Sequence, residues 1–131
     1  MGTTMKNFLN NLTGNMSEST VNEAARKLKD LLVSNETVEK SFKIFRDAIV
    51  FTNLRIILID VQGVTGSKVS YHSIPYKSIV SYEIETAGTL DLDSELKIYI
   101  SGQAEPLKKE FKKGSNIKEV GQLIGEHLLH V

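Results

Sequence analysis

The spacing of apolar residues changes twice along the chain, from helical to alternating and back to helical. In residues 1–35, Val21, Ala25, Leu28 and Leu32 recur at steps of four, three and four and share one helix face. Thr20-Val21-Asn22-Glu23 forms a capping box, in which each end's side chain satisfies a backbone N–H that the first helical turn leaves open. The pattern predicts a helix that starts at Thr20 and stops at Asn35, with a shorter one around Phe8, Leu9 and Leu12 interrupted at Gly14. From residue 36 to 113 the period is two. Val38, Phe42 and Ile44 alternate with polar neighbours, as do Val80, Tyr82 and Ile84, and Leu96, Ile98 and Ile100. Val69 and Tyr71 open another strand, which Pro75 ends or holds at an edge, and Leu107, Lys109 and Phe111 mark a last one. Turn residues fall between these runs at 46–47, 52–53, 63–66, 87–90 and 102–106. About seven short strands with tight turns predict an antiparallel barrel or sandwich. Asn116, Glu119 and the stripe Ile117, Val120, Ile124, Leu128 and Val131 then predict a capped amphipathic helix that covers an open barrel end.

One region breaks the alternation. Between residues 54 and 61, Leu54, Ile56 and Leu58 face one side while Ile57, Ile59 and Val61 face the other, and residues 48–51 are apolar throughout. A strand that is apolar on both faces is covered on both. The barrel interior covers one face, and the N-terminal helix or a second subunit covers the other. Ile57, Ile59 and Val61 are therefore the candidate oligomer-interface residues.

With 131 residues and 40% hydrophobic side chains, the chain suits one domain with a real core. Sixteen basic residues balance sixteen acidic ones, which argues against a general electrostatic grip on nucleic acid. The chain has no cysteine, so disulfides and thiolate chemistry are excluded. The longest apolar runs reach four residues, against the roughly 20 of a membrane span, and the first residues lack the apolar stretch of a secretory signal. A soluble cytoplasmic protein is the expectation.

Little in the sequence points to catalysis or a cofactor. No Gly-x-Ser-x-Gly elbow occurs, and the histidines stand at 72, 127 and 130. The glycine-containing run 63–68 is too short for a phosphate loop and precedes a strand. Asp91, Asp93 and Glu95 alternate as cation ligands do, but Leu96 occupies the sixth position, where a calcium loop needs glycine. They are weak metal candidates, better read as turn residues. Residues 76–95 carry one lysine against five carboxylates, whereas lysines concentrate at 108–113. The two stretches can be solvated faces, or an acidic surface that meets a neighbour's basic edge.

Three runs carry a family resemblance. Phe51-Thr52-Asn53-Leu54-Arg55-Ile56-Ile57 resembles the turn between the second and third strands of bacterial pleckstrin-homology and GRAM-like domains. Tyr71-His72-Ser73-Ile74-Pro75-Tyr76-Lys77-Ser78-Ile79 resembles the next strand and turn of one bacterial pleckstrin-homology family. Glu85-Thr86-Ala87-Gly88, Asp91, Asp93 and Glu95-Leu96 are similar to that family's most distinctive stretch. The resemblance covers residues 36–129. It implies a mainly β fold with flanking helices: a split seven-stranded antiparallel barrel capped by a C-terminal helix, in a domain spanning 36–131 after a helical extension over 1–35. It also implies a non-enzymatic binding or scaffold module that assembles into a homo-oligomeric ring, with a further protein or a membrane surface as additional partner. Eukaryotic relatives hold phosphoinositides with Lys and Arg flanking the first hairpin loop. Lys43, Arg46, Arg55 and Lys68 are the corresponding candidates here for a lipid headgroup or small anion.

Overall fold

The computed structural model describes residues 18–129, in two compact units that divide between Ile74 and Pro75. The first unit contains helix α1 (Glu18–Lys27) and strands β1 (Val38–Ile44), β2 (Asp47–Thr52), β3 (Arg55–Gln62) and β4 (Lys68–Pro75). Its sheet runs in the order β1-β2-β3-β4. The register sorts side chains into two faces. Phe42 pairs with Ile49 and Ile49 with Leu58, while Phe51 pairs with Ile56. These five side chains are all buried, and the Phe42 and Phe51 rings meet edge to face at 6.1 Å. The opposite face carries the rows Ser41-Val50-Ile57 and Lys43-Ala48-Ile59.

Helix α1 lies on this second face. Ala24 and Leu28 close over Val50 and Ile57, with Leu32, Val38, Ala48 and Ile59 packed around them. Of the two coverings that the apolar strand required, the chain's own helix is the one present at Ile57, which is fully buried. Each such aliphatic side chain contributes about 1.5–3 kcal/mol by leaving water.

The helix differs from its expected bounds at both ends. Thr20 lies inside α1 and does not cap it, and regular helix ends at Lys27. The N–H groups of Leu31 and Leu32 both return to the Leu28 carbonyl, which tightens the chain into a turn. Beyond it the Glu36 carboxylate accepts the Val33 N–H and the Arg55 guanidinium donates to the Leu31 carbonyl. Asn35 then turns the chain at φ 67°, a left-handed conformation that asparagine tolerates. The expected helix around Phe8, Leu9 and Leu12 lies outside the described residues.

The second unit holds a short 3₁₀ turn (Tyr76–Ser78), strands β5 (Ile79–Thr86), β6 (Ser94–Ile100) and β7 (Leu107–Phe111), and helix α2 (Ile117–Leu128). The three strands form one antiparallel sheet in sequence order. α2 buries Ile117, Val120, Leu123 and Ile124. It approaches the sheet closely because Gly121 has no side chain: a Cβ there would stand 2.8 Å from the Ile84 Cδ1. His127 stacks on Tyr76 with ring centroids 3.9 Å apart. Asn116 occupies the N-cap position but makes no side-chain capping bond, and Leu54 lies half-exposed in the β2–β3 turn. The strand count and order follow the alternation read from the sequence.

Candidate functional site

The tips of the β1–β2 and β3–β4 hairpins come together in the first unit. Two residues, Phe45 and Arg46, connect β1 to β2. A loop this short forces an unusual backbone, and Phe45 adopts φ 58°. Its ring is 90% exposed, so burial does not offset the strain. The Arg46 guanidinium donates a 2.7 Å hydrogen bond to the Gly63 carbonyl in the β3–β4 loop and lies 5.9 Å from the Phe45 ring centroid. Beside Gly63, Val64 is fully exposed. The Asp47 carboxylate adds a second tie by accepting the Val61 N–H at 2.8 Å. The paired tips therefore present two apolar side chains, with Lys43 and Lys68 exposed on the flanking strands.

A trough of about 510 Å³ opens behind the tips, between α1 and the sheet. Ala48, Val50, Ile59 and Val61 floor it, and Val69 and Tyr71 of β4 extend it. Thr20, Glu23 and Lys27 line its helix side, while Lys43 and Arg46 stand at the hairpin end. Ile59 and Val61 are partly exposed here, in contrast to Ile57.

Of the four basic candidates, only Lys43 and Arg46 line this trough. Arg55 belongs to a network at the other end of the same strands. Its Nε and Nη2 form 2.8 Å bonds to the two Glu36 oxygens, Nη2 also reaches the Leu31 carbonyl, and Nη1 reaches the Ser73 hydroxyl. The Thr52 hydroxyl donates to Glu36 at 2.7 Å and accepts the Leu54 and Arg55 N–H groups. Asn53 bonds the Asn35 carbonyl and the Thr37 N–H. Chiefly through the Arg55 hydrogen bonds, and against the penalty of burial, the Glu36 carboxyl is held down at about 2. The Thr52-Asn53-Leu54-Arg55 run is thus a clamp on the segment entering β1.

The acidic candidates disperse as well. Asp91 pairs with Lys118 at 3.0 Å, Asp93 accepts the Lys113 N–H at 2.8 Å, and Glu95 stands 4.0 Å from Lys97. Among the described residues no cluster of three His, Asp or Glu groups is arranged to hold a metal. Lys97 also bonds Glu85 at 2.9 Å, which lowers the Glu85 pKa and raises its own. Part of the acidic stretch is therefore answered by lysines of the same chain. Sequence reasoning missed Phe45, Val64 and Glu36; an aromatic residue inside a two-residue turn was the available signal for the first.

A four-stranded and a three-stranded antiparallel sheet followed by a C-terminal helix make this a pleckstrin-homology-like protein. The family model for the bacterial PH domain matches residues 7–128, and the chain belongs to that family. Its structure is similar to a pleckstrin homology domain from Shewanella amazonensis, at TM-score 0.82 and 51% identity over 94% of this chain and 99% of that one. A DUF1696 family protein with a pleckstrin-homology domain from Shewanella loihica matches at TM-score 0.75 and 50% identity, over 88% and 99% of the two chains. The uncharacterized protein YjqA of Bacillus subtilis is 47% identical over 118 residues, 89% of this chain and 94% of YjqA. Among the described residues no helix is long and apolar enough to cross a membrane.

Proposed function

We propose that the chain is a non-catalytic docking module that attaches to an anionic membrane surface through its paired hairpin tips. The observation that carries this reading is Phe45: a strained, almost fully exposed aromatic ring beside Arg46, which is itself bonded to Gly63 of the second tip. Backbone strain without burial persists where it serves a contact. Each lysine or arginine near an anionic leaflet contributes about 1 kcal/mol, so Lys43, Arg46 and Lys68 supply weak, salt-sensitive attraction that ring insertion reinforces. Sedimentation with vesicles tests it. The chain should pellet with phosphatidylcholine vesicles containing phosphatidylserine and not with pure phosphatidylcholine, and Phe45→Ala or Arg46→Ala should lose most of that binding. Equal recovery on both vesicle types would sink the reading.

A second reading is a self-assembling scaffold, as a cyclic homo-oligomer. A closed ring needs two different surfaces that fit each other. The first unit offers two apolar areas: Leu31, Val33 and Leu54 at the Glu36 end, and Val69 and Tyr71 beside Ile59 and Val61. Light scattering should then give a mass several times that of one chain, reduced by Val69→Asp. A monomer at all concentrations would refute it.

A further inference from the structure

Apart from docking at the tips, we propose that the trough between α1 and the sheet binds a free fatty acid of about ten carbons, its chain on the aliphatic floor and its carboxylate at Lys43. The sheet register explains why the trough exists. In the row Ser41-Val50-Ile57, Ala24 and Leu28 of α1 fill the space above the side chains. In the next row, Lys43-Ala48-Ile59, the central residue is an alanine, and the floor dips between the lysine and the isoleucine. Strands stand about 4.8 Å apart, so a floor crossing four of them is about 14 Å wide, a span suited to an extended chain of about ten carbons. The volume of about 510 Å³ lies within the roughly 300–1,000 Å³ typical of small-molecule sites.

Charge selects the head. Three cations and two carboxylates line the trough. Lys27 faces Glu23 at 3.6 Å, Arg46 is bonded to the Gly63 carbonyl, and Asp47 accepts the Val61 N–H. The Lys43 side chain makes no hydrogen bond or ion pair among the described residues. Because Lys43 sits at the end of the dipped row and lines the trough, a chain lying over Ile59 and Ala48 runs toward it. One uncommitted cation matches a singly charged carboxylate. It does not match a phosphate, which is better held by a cluster of cations or a bidentate arginine.

Calorimetric titration of the full chain with decanoate, below its micelle concentration, tests the assignment, with butyrate and decyltrimethylammonium as controls. Decanoate should bind at one saturable site, with an affinity of about 10 μM for a ligand of this size. Butyrate and the cationic amphiphile should not. Lys43→Ala should weaken decanoate about tenfold, the loss of one charge-assisted contact. Ala48→Leu fills the dip and should abolish binding while the melting temperature holds. Absence of saturable heat, equal binding of the cationic amphiphile, or full binding by Ala48→Leu overturns the proposal. So does a ligand-free oligomer that Ala48→Leu disperses, because a second copy then occupies the trough. Phe45→Ala should leave the decanoate titration intact, so failure on vesicles and failure here are read separately.

Discussion

Substituting Glu36 by Gln keeps the size of the side chain and removes the charge that Arg55 answers. The Glu36 side chain is wholly buried and the Arg55 side chain is 19% exposed, so solvent screens the pair little. The carboxyl titrates at about 2, against 4.5 for an ordinary glutamate. At about 1.4 kcal/mol per pH unit, that gap corresponds to about 3 kcal/mol. Breaking a buried pair from one side costs about 3–5 kcal/mol, and the partial exposure of Arg55 places this pair at the lower end. The sign follows from the direction of the shift. A carboxyl whose pKa is depressed by folding stabilises the folded state above its unfolded pKa. That stability disappears as the pH falls through the folded value. The wild-type chain should therefore exceed Glu36→Gln by about 3 kcal/mol at pH 7, and the difference should close between about pH 5 and pH 2. Urea unfolding of both chains at several pH values measures it, with a melting difference of roughly 10 °C as the coarse readout at neutral pH. Two parallel pH curves, or no gap at pH 7, would refute the reasoning, because the pair would then contribute nothing through its charge.

Two further substitutions probe backbone and packing. Gly121→Ala should destabilise by about 1 kcal/mol, since the new methyl meets the Ile84 Cδ1; in an Ile84→Val background the clash is gone, and alanine's helix propensity should make the same change neutral or stabilising in a thermal melt. Additive effects of the two changes would show that the close approach does not govern the cost. Phe45→Gly should raise stability by about 1 kcal/mol by relieving the positive φ, so a loss of vesicle binding in that variant comes from the missing ring and not from unfolding; a fall in its melting temperature would contradict the strain argument.

The strand plan was legible because alternation is a local signal. Val38 to Ile44, Val80 to Ile84 and Leu96 to Ile100 each lie within an observed strand, but irregularities in the register beside Val38 and Val80 break the alternation of faces: Val38 packs with Val50 and Ile57 on the face opposite Phe42, and Val80 is 67% exposed. The two apolar faces of β3 were also legible, along with the need to cover both. Which element covers Ile57 was not, because that depends on where α1 lands. The early end of α1 was invisible for a related reason. Leu31 and Val33 surrender backbone groups to Arg55 and Glu36, and Arg55 stands 24 positions from Leu31. The same long-range bonding misled the reading of Arg55 itself. Counted by charge and loop position, it joins Lys43 and Arg46; in three dimensions its guanidinium is committed to Glu36, Leu31 and Ser73.

These assignments divide the four-stranded sheet by its ends. At the β2–β3 end, Thr52, Asn53, Arg55 and Glu36 spend their polar groups on one another and on the adjoining backbone. That end has little polar capacity left for a ligand, and its removal should register as lost stability. At the β1–β2 end the order is reversed. Phe45 holds a strained backbone without burial, and Val64 is exposed to water. Lys43 stands without a partner among the described residues. The Arg46–Gly63 bond fixes these groups in place without covering them. A chain selected for stability alone would place glycine or asparagine at position 45 and a polar residue at 64. Apolar side chains standing beside a lysine without a partner are the ground for the recognition proposed at the hairpin tips, whereas the bonding of the Glu36 clamp is spent on folding stability.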